Sequence, residues 1–363
     1  MGNELDQFKL RDRKVAKKIV RKIQDADVKM NVMHVCGTHQ DTLVRYGLEE
    51  MLKDVGINII QGPGCPVCVT TPREVEEMIK LAENGVTITA FGDMMKVPGE
   101  KKSLMHAKEE GADIRVVYGI DDAVEMAATS DKQVVFMSVG FETTTPSTAS
   151  ALARGAPDNF YVLTCNRVIP PALDAIMRMG ELNLDGLIEP GHVSTIIGTT
   201  PYEPLSQRYH IPQVVAGFEP LDLLMGVYML VRQVKEGRAE VENEYTRVVK
   251  TEGNPKARAL VEEVFEPADV DWRGFPVIPD SGLKLRAEYQ RHDTRVVFSH
   301  ILDELKGKKF EEKENCLCGE VLRGITEPKE CELFGKACTP VNPVGPCMVS
   351  REGSCNIAYR YRG

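Results

Sequence analysis

The stretch Ile57-Asn58-Ile59-Ile60-Gln61-Gly62-Pro63-Gly64-Cys65-Pro66-Val67-Cys68-Val69-Thr70-Thr71-Pro72-Arg73-Glu74 decides how the rest of the chain is read. Residues 57–60 make a short buried strand. A helix opens after it: Thr71 is the N-cap, Pro72 takes the first helical position and Glu74 closes a capping box. Two thiols therefore lie on a strand-to-helix loop, where backbone N–H groups and the helix dipole favour thiolate. Gly62 and Gly64 allow a sharp turn and a close approach. A C-x-x-C beside a β-α pattern points to dithiol redox chemistry or to metal binding. In a thioredoxin domain the first Cys sits at the helix start. Here even Cys68 lies ahead of the Thr71 cap, so the loop is of another kind.

Working outward, strand-like runs occur at 32–35, 57–60, 86–91 and 114–118, with helices predicted over 42–53, 72–83, 103–110 and 121–128. After Asp131 the pattern recurs, with strands at 134–138, 160–164, 186–188 and 213–216 and helices at 147–154, 171–179 and 221–236. Within each half the strands return every 25 to 30 residues, the spacing of β-α units. The expected fold is α/β: two doubly wound parallel-sheet domains facing one cleft, plus a smaller Cys-rich iron–sulfur domain. The first sheet domain is placed at 31–130, the second at 131–240 and the third at 241–363. An amphipathic helix over 5–23, with Leu5, Phe8, Val15, Ile19 and Ile23 on or near one face, occupies residues 1–30. It is expected to pack on the third domain. Beyond 241 the β-α pattern fails, and helices are expected over 240–250, over 256–265 and near 292–306.

The 363 residues carry a net charge of −9, which argues against a nucleic-acid partner because phosphate binding needs a basic surface. No apolar run approaches the ~20 residues of a membrane span. The longest, 223–231, is interrupted by Gly226. The first residues are polar and charged, without a signal-peptide core. A soluble cytoplasmic protein is expected. In a reducing compartment, ten cysteines point to metal ligands and redox thiols rather than structural disulfides.

In open parallel sheets ligands bind beyond the carboxyl ends of the strands. Cys36-Gly37-Thr38-His39 follows the first strand, at the start of a helix that Thr38 can cap, where a thiolate is favoured. His39 can reach the same side of that turn. The pair suits a nucleophile with its base or two metal ligands. Asp93, Glu142, Thr144 and His192 fall on the rim of the same cleft, where such residues are otherwise solvated or cap helices. Cys165 is read as a small buried apolar residue.

The tail from Cys316 onward is rich in Gly, Pro and Cys, too irregular to bury much core without a staple. Its spacing is Cys316-x14-Cys331-x6-Cys338-x16-Cys355. Zinc ribbons use paired C-x-x-C knuckles, which are missing here. A [4Fe–4S] cluster is therefore favoured over structural zinc. Cys318 can replace Cys316 as a ligand, and Cys347 is surplus.

Cys36-Gly37-Thr38-His39-Gln40, Gly62-Pro63-Gly64-Cys65-Pro66-Val67-Cys68, Gly140-Phe141-Glu142-Thr143-Thr144-Thr145-Pro146, Pro190-Gly191-His192-Val193-Ser194 and the Cys-x14-Cys-x6-Cys-x16-Cys tail together resemble the HypD hydrogenase-maturation proteins. The resemblance implies two α/β domains and a third carrying a [4Fe–4S] cluster on Cys316, Cys331, Cys338 and Cys355. It implies a role in building the Fe(CN)2CO unit of [NiFe]-hydrogenases, held transiently. The partners implied are a small HypC-type chaperone and a HypE-type protein that delivers cyanide as a thiocyanate, itself served by a HypF-type carbamoyltransferase. Cys36 would be the iron-binding thiolate, His39 its neighbour, and Cys65 with Cys68 the redox dithiol. On this reading the chain is an assembly scaffold with thiol redox activity rather than a conventional turnover enzyme. The alternatives are an iron–sulfur disulfide reductase using Cys65/Cys68, and a metal-stapled structural adaptor.

Overall fold

The computed structural model describes residues 11–310 and 312–362, so Leu5 and Phe8 of the expected first helix lie outside the described residues. Eleven strands form among them: β1 Met30–His34, β2 Ile57–Gln61, β3 Thr87–Ala90, β4 Ile114–Val116, β5 Val134–Gly140, β6 Phe160–Asn166, β7 Gly186–Pro190, β8 Gln213–Ala216, β9 Val241–Asn243, β10 Phe265–Asp271 and β11 Val277–Leu285. The β-α periodicity holds, and the fold is α/β with parallel sheets. One five-stranded parallel sheet runs β2-β1-β7-β8-β9, and a four-stranded parallel sheet runs β4-β3-β5-β6.

The strand order corrects the expected boundary at 130/131. The chain begins the first sheet with β1 and β2, leaves it to build all of the second, and returns with β7 to pair beside β1. Segment 31–130 therefore forms no sheet of its own. Unit spacing dictates parallel crossovers but not which neighbour a returning strand joins.

The inner strands of both sheets are buried on both faces, as those of all-parallel sheets are. Met33, Val35, Leu187 and Val215 of the first sheet share one core with Val135, Met137, Tyr161 and Leu163 of the second. The alternate residues face outward cores: Met30, Val32, Ile188 and Val214 on one side, Val134, Phe136, Phe160 and Val162 on the other. The period-2 alternation of strands thus fixes two sheets around a common interior.

The first described helix, Arg13–Ala26, buries Ile19 and Ile23 against helix Pro220–Glu236 on the outer face of the first sheet. It does not pack on the Cys-rich region, as had been expected. That expectation ignored the matching apolar stripe of Leu223, Val227 and Leu230. Region 241–363 is likewise woven into the sheets. β9 is an edge strand of the first sheet where a helix over 240–250 was expected. Helix Pro255–Val264, close to the expected 256–265, lies on helix Thr145–Ala153. The antiparallel hairpin β10–β11, which the sequence reading missed, packs on β6 and on helix Ile169–Met179. The cysteine-rich tail holds short helices, Cys318–Arg323, the 3-10 turn Pro328–Glu330 and Pro346–Val349, before Ser354–Arg362, which packs on helix Gly37–Arg45.

Candidate functional site

Cys36 is the residue before helix Gly37–Arg45, in extended conformation and without a side-chain capping bond. That helix starts well ahead of residue 42, so Thr38 lies inside it. Its hydroxyl reaches a Glu352 carboxyl oxygen at 3.5 Å instead of capping. The turn beyond β2 is bound to the turn beyond β1. Gly62 N–H donates to the His34 carbonyl at 2.8 Å, and Gly37 N–H to the Gly64 carbonyl at 3.1 Å. A Cβ on Gly64 would run into the backbone of Val35 and Cys36, so only glycine permits the contact. Cys65 follows directly. The adjacent-strand arrangement thus brings Cys36 and the Cys65/Cys68 loop together, as the sequence implied.

Cys65 and Cys68 form a disulfide. Contrary to the expectation, the pair opens a helix of its own. Cys65 is the N-cap of the one-turn Pro66–Val69, and Cys68 N–H lies 3.2 Å from the Cys65 sulfur. The Thr71 capping box is present just beyond: Thr71 N–H donates to Glu74 Oε2 at 2.9 Å, and Glu74 N–H to Thr71 Oγ1 at 3.4 Å.

Electrostatics reverse one expectation. Burial pushes the Cys36 thiol up to about 12, outweighing the backbone N–H groups of His39 and Thr38, with nearby Glu352 adding to the rise. Cys36 is a protonated thiol in this state, not a thiolate. His39 presents its backbone N–H to that sulfur, while its ring goes elsewhere: Nε2 lies 3.2 Å from the Ala216 carbonyl oxygen. Burial pushes the ring down to about 3, so it is neutral. His34 is neutral for the same reason, pushed down to about 4, with Nε2 at 2.6 Å from Gln40 Oε1.

The four rim residues fare differently. Asp93 is exposed and accepts from Ser350 Oγ at 3.3 Å, next to Glu352 and hence beside the Cys36 turn. Glu142 is buried; one oxygen accepts from Ile169 N–H at 2.9 Å and the other has no partner among the described residues. Burial raises it to about 7. Thr144 donates back to the Phe141 carbonyl at 3.2 Å and caps nothing. His192 is exposed and stacks on Phe218, ring centroids 3.8 Å apart.

Sequence reasoning missed three groups. Glu189, at the carboxyl end of β7, is fully buried with neither oxygen partnered among the described residues, and burial raises it to about 8. The Tyr202 phenol, 3.2 Å from Ser194 Oγ, is raised by burial and then by the nearby Glu189 and Glu142 carboxyls. The signal for Glu189 was a carboxyl within the otherwise apolar run Leu187-Ile188-Glu189-Pro190. The second missed group is a buried ion-pair network behind the dithiol. Arg167 Nη2 donates to both Glu74 oxygens at 2.9 and 2.8 Å and to the Asp271 carbonyl at 2.8 Å, while Arg295 pairs with Glu77 at 2.9 Å. Burial would raise Glu74, but Arg167 and then Arg295 outweigh it and hold the group ionised. Cys165 is buried beside this network. The third is Arg273, on the turn between β10 and β11.

In the tail, Cys316, Cys318, Cys331, Cys338 and Cys355 line one small pocket with Leu317, Val321, Phe334 and Met348. Cys347 is fully buried outside that lining, its N–H 3.4 Å from the Cys318 sulfur. Hydrogen bonds from Cys316 and Cys347 hold the Cys318 thiol well below its usual range. Among the described residues, no three His, Cys, Asp or Glu side chains stand in a metal-ligating array. In number and kind the converging thiols nevertheless suit a four-thiolate cluster, with apolar walls to exclude water. This pocket adjoins the dithiol, since helix Pro346–Val349 packs on Pro66–Val69 and the Pro346 carbonyl oxygen lies 3.9 Å from the Cys68 sulfur. Among the described residues no helix is long and apolar enough to cross a membrane.

Comparison with known proteins gives this arrangement a context. The HypD family model, described as "Hydrogenase formation hypA family", matches residues 12–362. A putative hydrogenase expression/formation protein of Methanocaldococcus jannaschii is 46% identical over 360 residues, covering 97% of this chain and 99% of the relative. A hydrogenase maturation factor HypD of Cupriavidus necator is 44% identical, covering 91% of this chain and 89% of the relative. One from Rhizobium leguminosarum bv. viciae is 43% identical, covering 97% and 94%. The loops that hold Cys36, Cys65 and Cys68 together and the thiol-lined pocket behind them are thus those of a chain that belongs to the HypD family of hydrogenase maturation factors.

Proposed function

We propose that the chain is a cytoplasmic scaffold with thiol redox activity on which the Fe(CN)2CO unit of [NiFe]-hydrogenases is assembled. A HypC-type chaperone would share the iron, and a HypE-type protein would supply cyanide. The observation that carries this reading is the joining of the two turns through Gly37 and Gly64, which puts a lone thiol and a dithiol at one place. A lone thiol there adds nothing to a reductase, but a scaffold needs a thiolate that does not cycle.

In this reading the iron unit is cargo, anchored at Cys36. Low-spin iron with strong-field ligands is soft, which suits thiolate. Cys36 must lose its proton as iron binds, and the His39 and Thr38 N–H groups then stabilise the sulfur. Cys65 and Cys68 cycle between disulfide and dithiol beside it, storing two electrons. Cys316, Cys331, Cys338 and Cys355 would hold a [4Fe–4S] cluster, with Cys318 able to replace Cys316. When bound, such a cluster supplies single electrons. Pro346–Val349 spans the short way from that pocket to Cys68.

The test is infrared spectroscopy of the chain purified with its chaperone, since metal-bound CN and CO stretches fall in an otherwise empty region. Cys36→Ala should keep the tail cluster, the disulfide and the fold, yet lose those bands and all maturation activity. Bands at wild-type intensity in that variant would place the iron elsewhere. The buried, protonated state of Cys36 favours one competitor, the disulfide reductase, and that result would select it.

A further inference from the structure

The turn of the β10–β11 hairpin, Trp272-Arg273-Gly274-Phe275-Pro276, is wedged between the dithiol helix and the thiol-lined pocket. Trp272 anchors it: its indole N–H donates to Ser281 Oγ at 2.9 Å, and its ring stacks on Phe141 at 5.8 Å. Arg273 N–H donates to the Val69 carbonyl at 2.9 Å, and its Nε–H to the Thr70 carbonyl at 2.9 Å. Both carbonyls stand at the carboxyl end of Pro66–Val69, the helix that carries Cys68. Nη1 pairs with Glu312 Oε2 at 2.5 Å. The next residue, Gly274, lies at φ 81° with its Cα against the Gly319 backbone, so closely that a Cβ would strike it. Gly319 follows Cys318. Arg273 is therefore delivered to the pocket wall by backbone contact, and its charge reaches Cys318.

Arg273 is 3% exposed, and its Nη2 has no hydrogen-bond partner among the described residues. A buried guanidinium with an idle donor is costly unless something accepts from it. Cluster sulfurs and their thiolate ligands accept such bonds, and these bonds set the cluster potential.

We propose that Arg273 is a positioning residue that ties the Cys65/Cys68 helix to the cluster pocket and gives the pocket's Cys318 side a charged hydrogen bond through Nη2, raising the cluster's reduction potential. This rests on the reading of the tail as a cluster site. Removing the cation destabilises the more negative, reduced cluster, so the midpoint falls. Removing the Glu312 carboxylate leaves the cation uncompensated, so the midpoint rises. A merely structural arginine would produce no such opposed pair.

The test is a redox titration of the full-length, cluster-loaded protein, followed by absorbance and by electron paramagnetic resonance, with iron and sulfide content as the control. Arg273→Met should retain the cluster and lower the reduced-to-oxidised ratio on the order of tenfold at fixed potential, about 59 mV for a one-electron couple. Arg273→Lys should restore most of the potential, and Glu312→Gln should shift it upward. A fully loaded Arg273→Met protein with the wild-type midpoint overturns the inference. If Arg273→Met fails to hold its cluster, Glu312→Gln decides, and an unmoved or lowered midpoint there overturns it. A wild-type chain that binds one zinc and no cluster overturns the cluster reading and this inference together, which separates the two failures.

Discussion

Cys36, Cys65 and Cys68 sit on turns that the first sheet itself holds. Gly62 donates to His34, Gly37 to Gly64, Cys65 caps its own helix, and the Thr71 capping box and the Glu74–Arg167 pair fix the helix Pro72–Glu83 beyond it. The tail is built otherwise. Between Cys316 and Cys355 there are short helices, turns and thiols around a pocket, without a strand among the described residues. The first region is ordered by backbone pairing and buried charge, so its order does not rest on a bound metal. The second packs as short helices with Val321, Leu322 and Met348 buried, and a cluster held by its thiols would supply the staple that no strand provides.

The sharpest way to break that comparison is to remove one tail thiol. Cys338→Ala should lose cluster iron and sulfide and open 316–355 to protease, while the Cys65–Cys68 disulfide still forms. Limited proteolysis read by mass spectrometry checks this, and a tail as resistant as wild type would mean that it has a core of its own. The counterpart for the first region is Arg167→Met, which strands Glu74 in the interior. Removing one partner of a buried pair costs about 3–5 kcal/mol, read here from denaturant unfolding. The cluster content of folded protein should be unchanged.

The third test is smaller and depends on pH. Glu189 is raised from an ordinary carboxyl to about 8 by burial. The native state therefore binds the proton that the unfolded chain releases, and stability falls as pH rises from the ordinary carboxyl value through about 8. Glu189→Gln should remove that slope and stabilise the protein by a few kcal/mol at pH 9, with little effect at pH 4. His34 and His39, pushed down to about 4 and about 3, act in the opposite sense. The unfolded chain takes up protons first, so their contribution is present above the ordinary histidine value and is lost as pH falls through the two lowered values. Denaturant titrations of both proteins across this range separate the slopes.

The features that the sequence disclosed and those that it hid fall along the same division. Periodic apolar runs marked the strands, and Thr71, Pro72 and Glu74 marked a helix start that the structure reproduces. Motifs at strand ends led to the loops that converge, because parallel neighbours put their ends side by side. Strand order stayed hidden, since equal spacing serves any crossover. So did β10–β11, whose Phe-Glu-Pro-Ala-Asp-Val-Asp run carries a proline and little apolar signal. The buried pairing of Glu74 with Arg167 and the burial of Glu189 and Arg273 were invisible because a charged residue reads as solvated until its burial and partners are known. The protonated Cys36 was missed for the related reason that helix-start arguments weigh local N–H groups and not desolvation.

The interleaving of the sheets also sets an order of events during synthesis. Asn31 on β1 donates its N–H to Asp185 at the threshold of β7, 154 residues later. At about 5–20 residues per second, that partner emerges roughly 8–30 s after β1. Throughout this interval the first-made strand lacks one neighbour and the Cys36, Cys65 and Cys68 turns lack the lid that the tail lays over them. Cys36, Cys65 and Cys68 are thus the first thiols to be made and among the last to be enclosed.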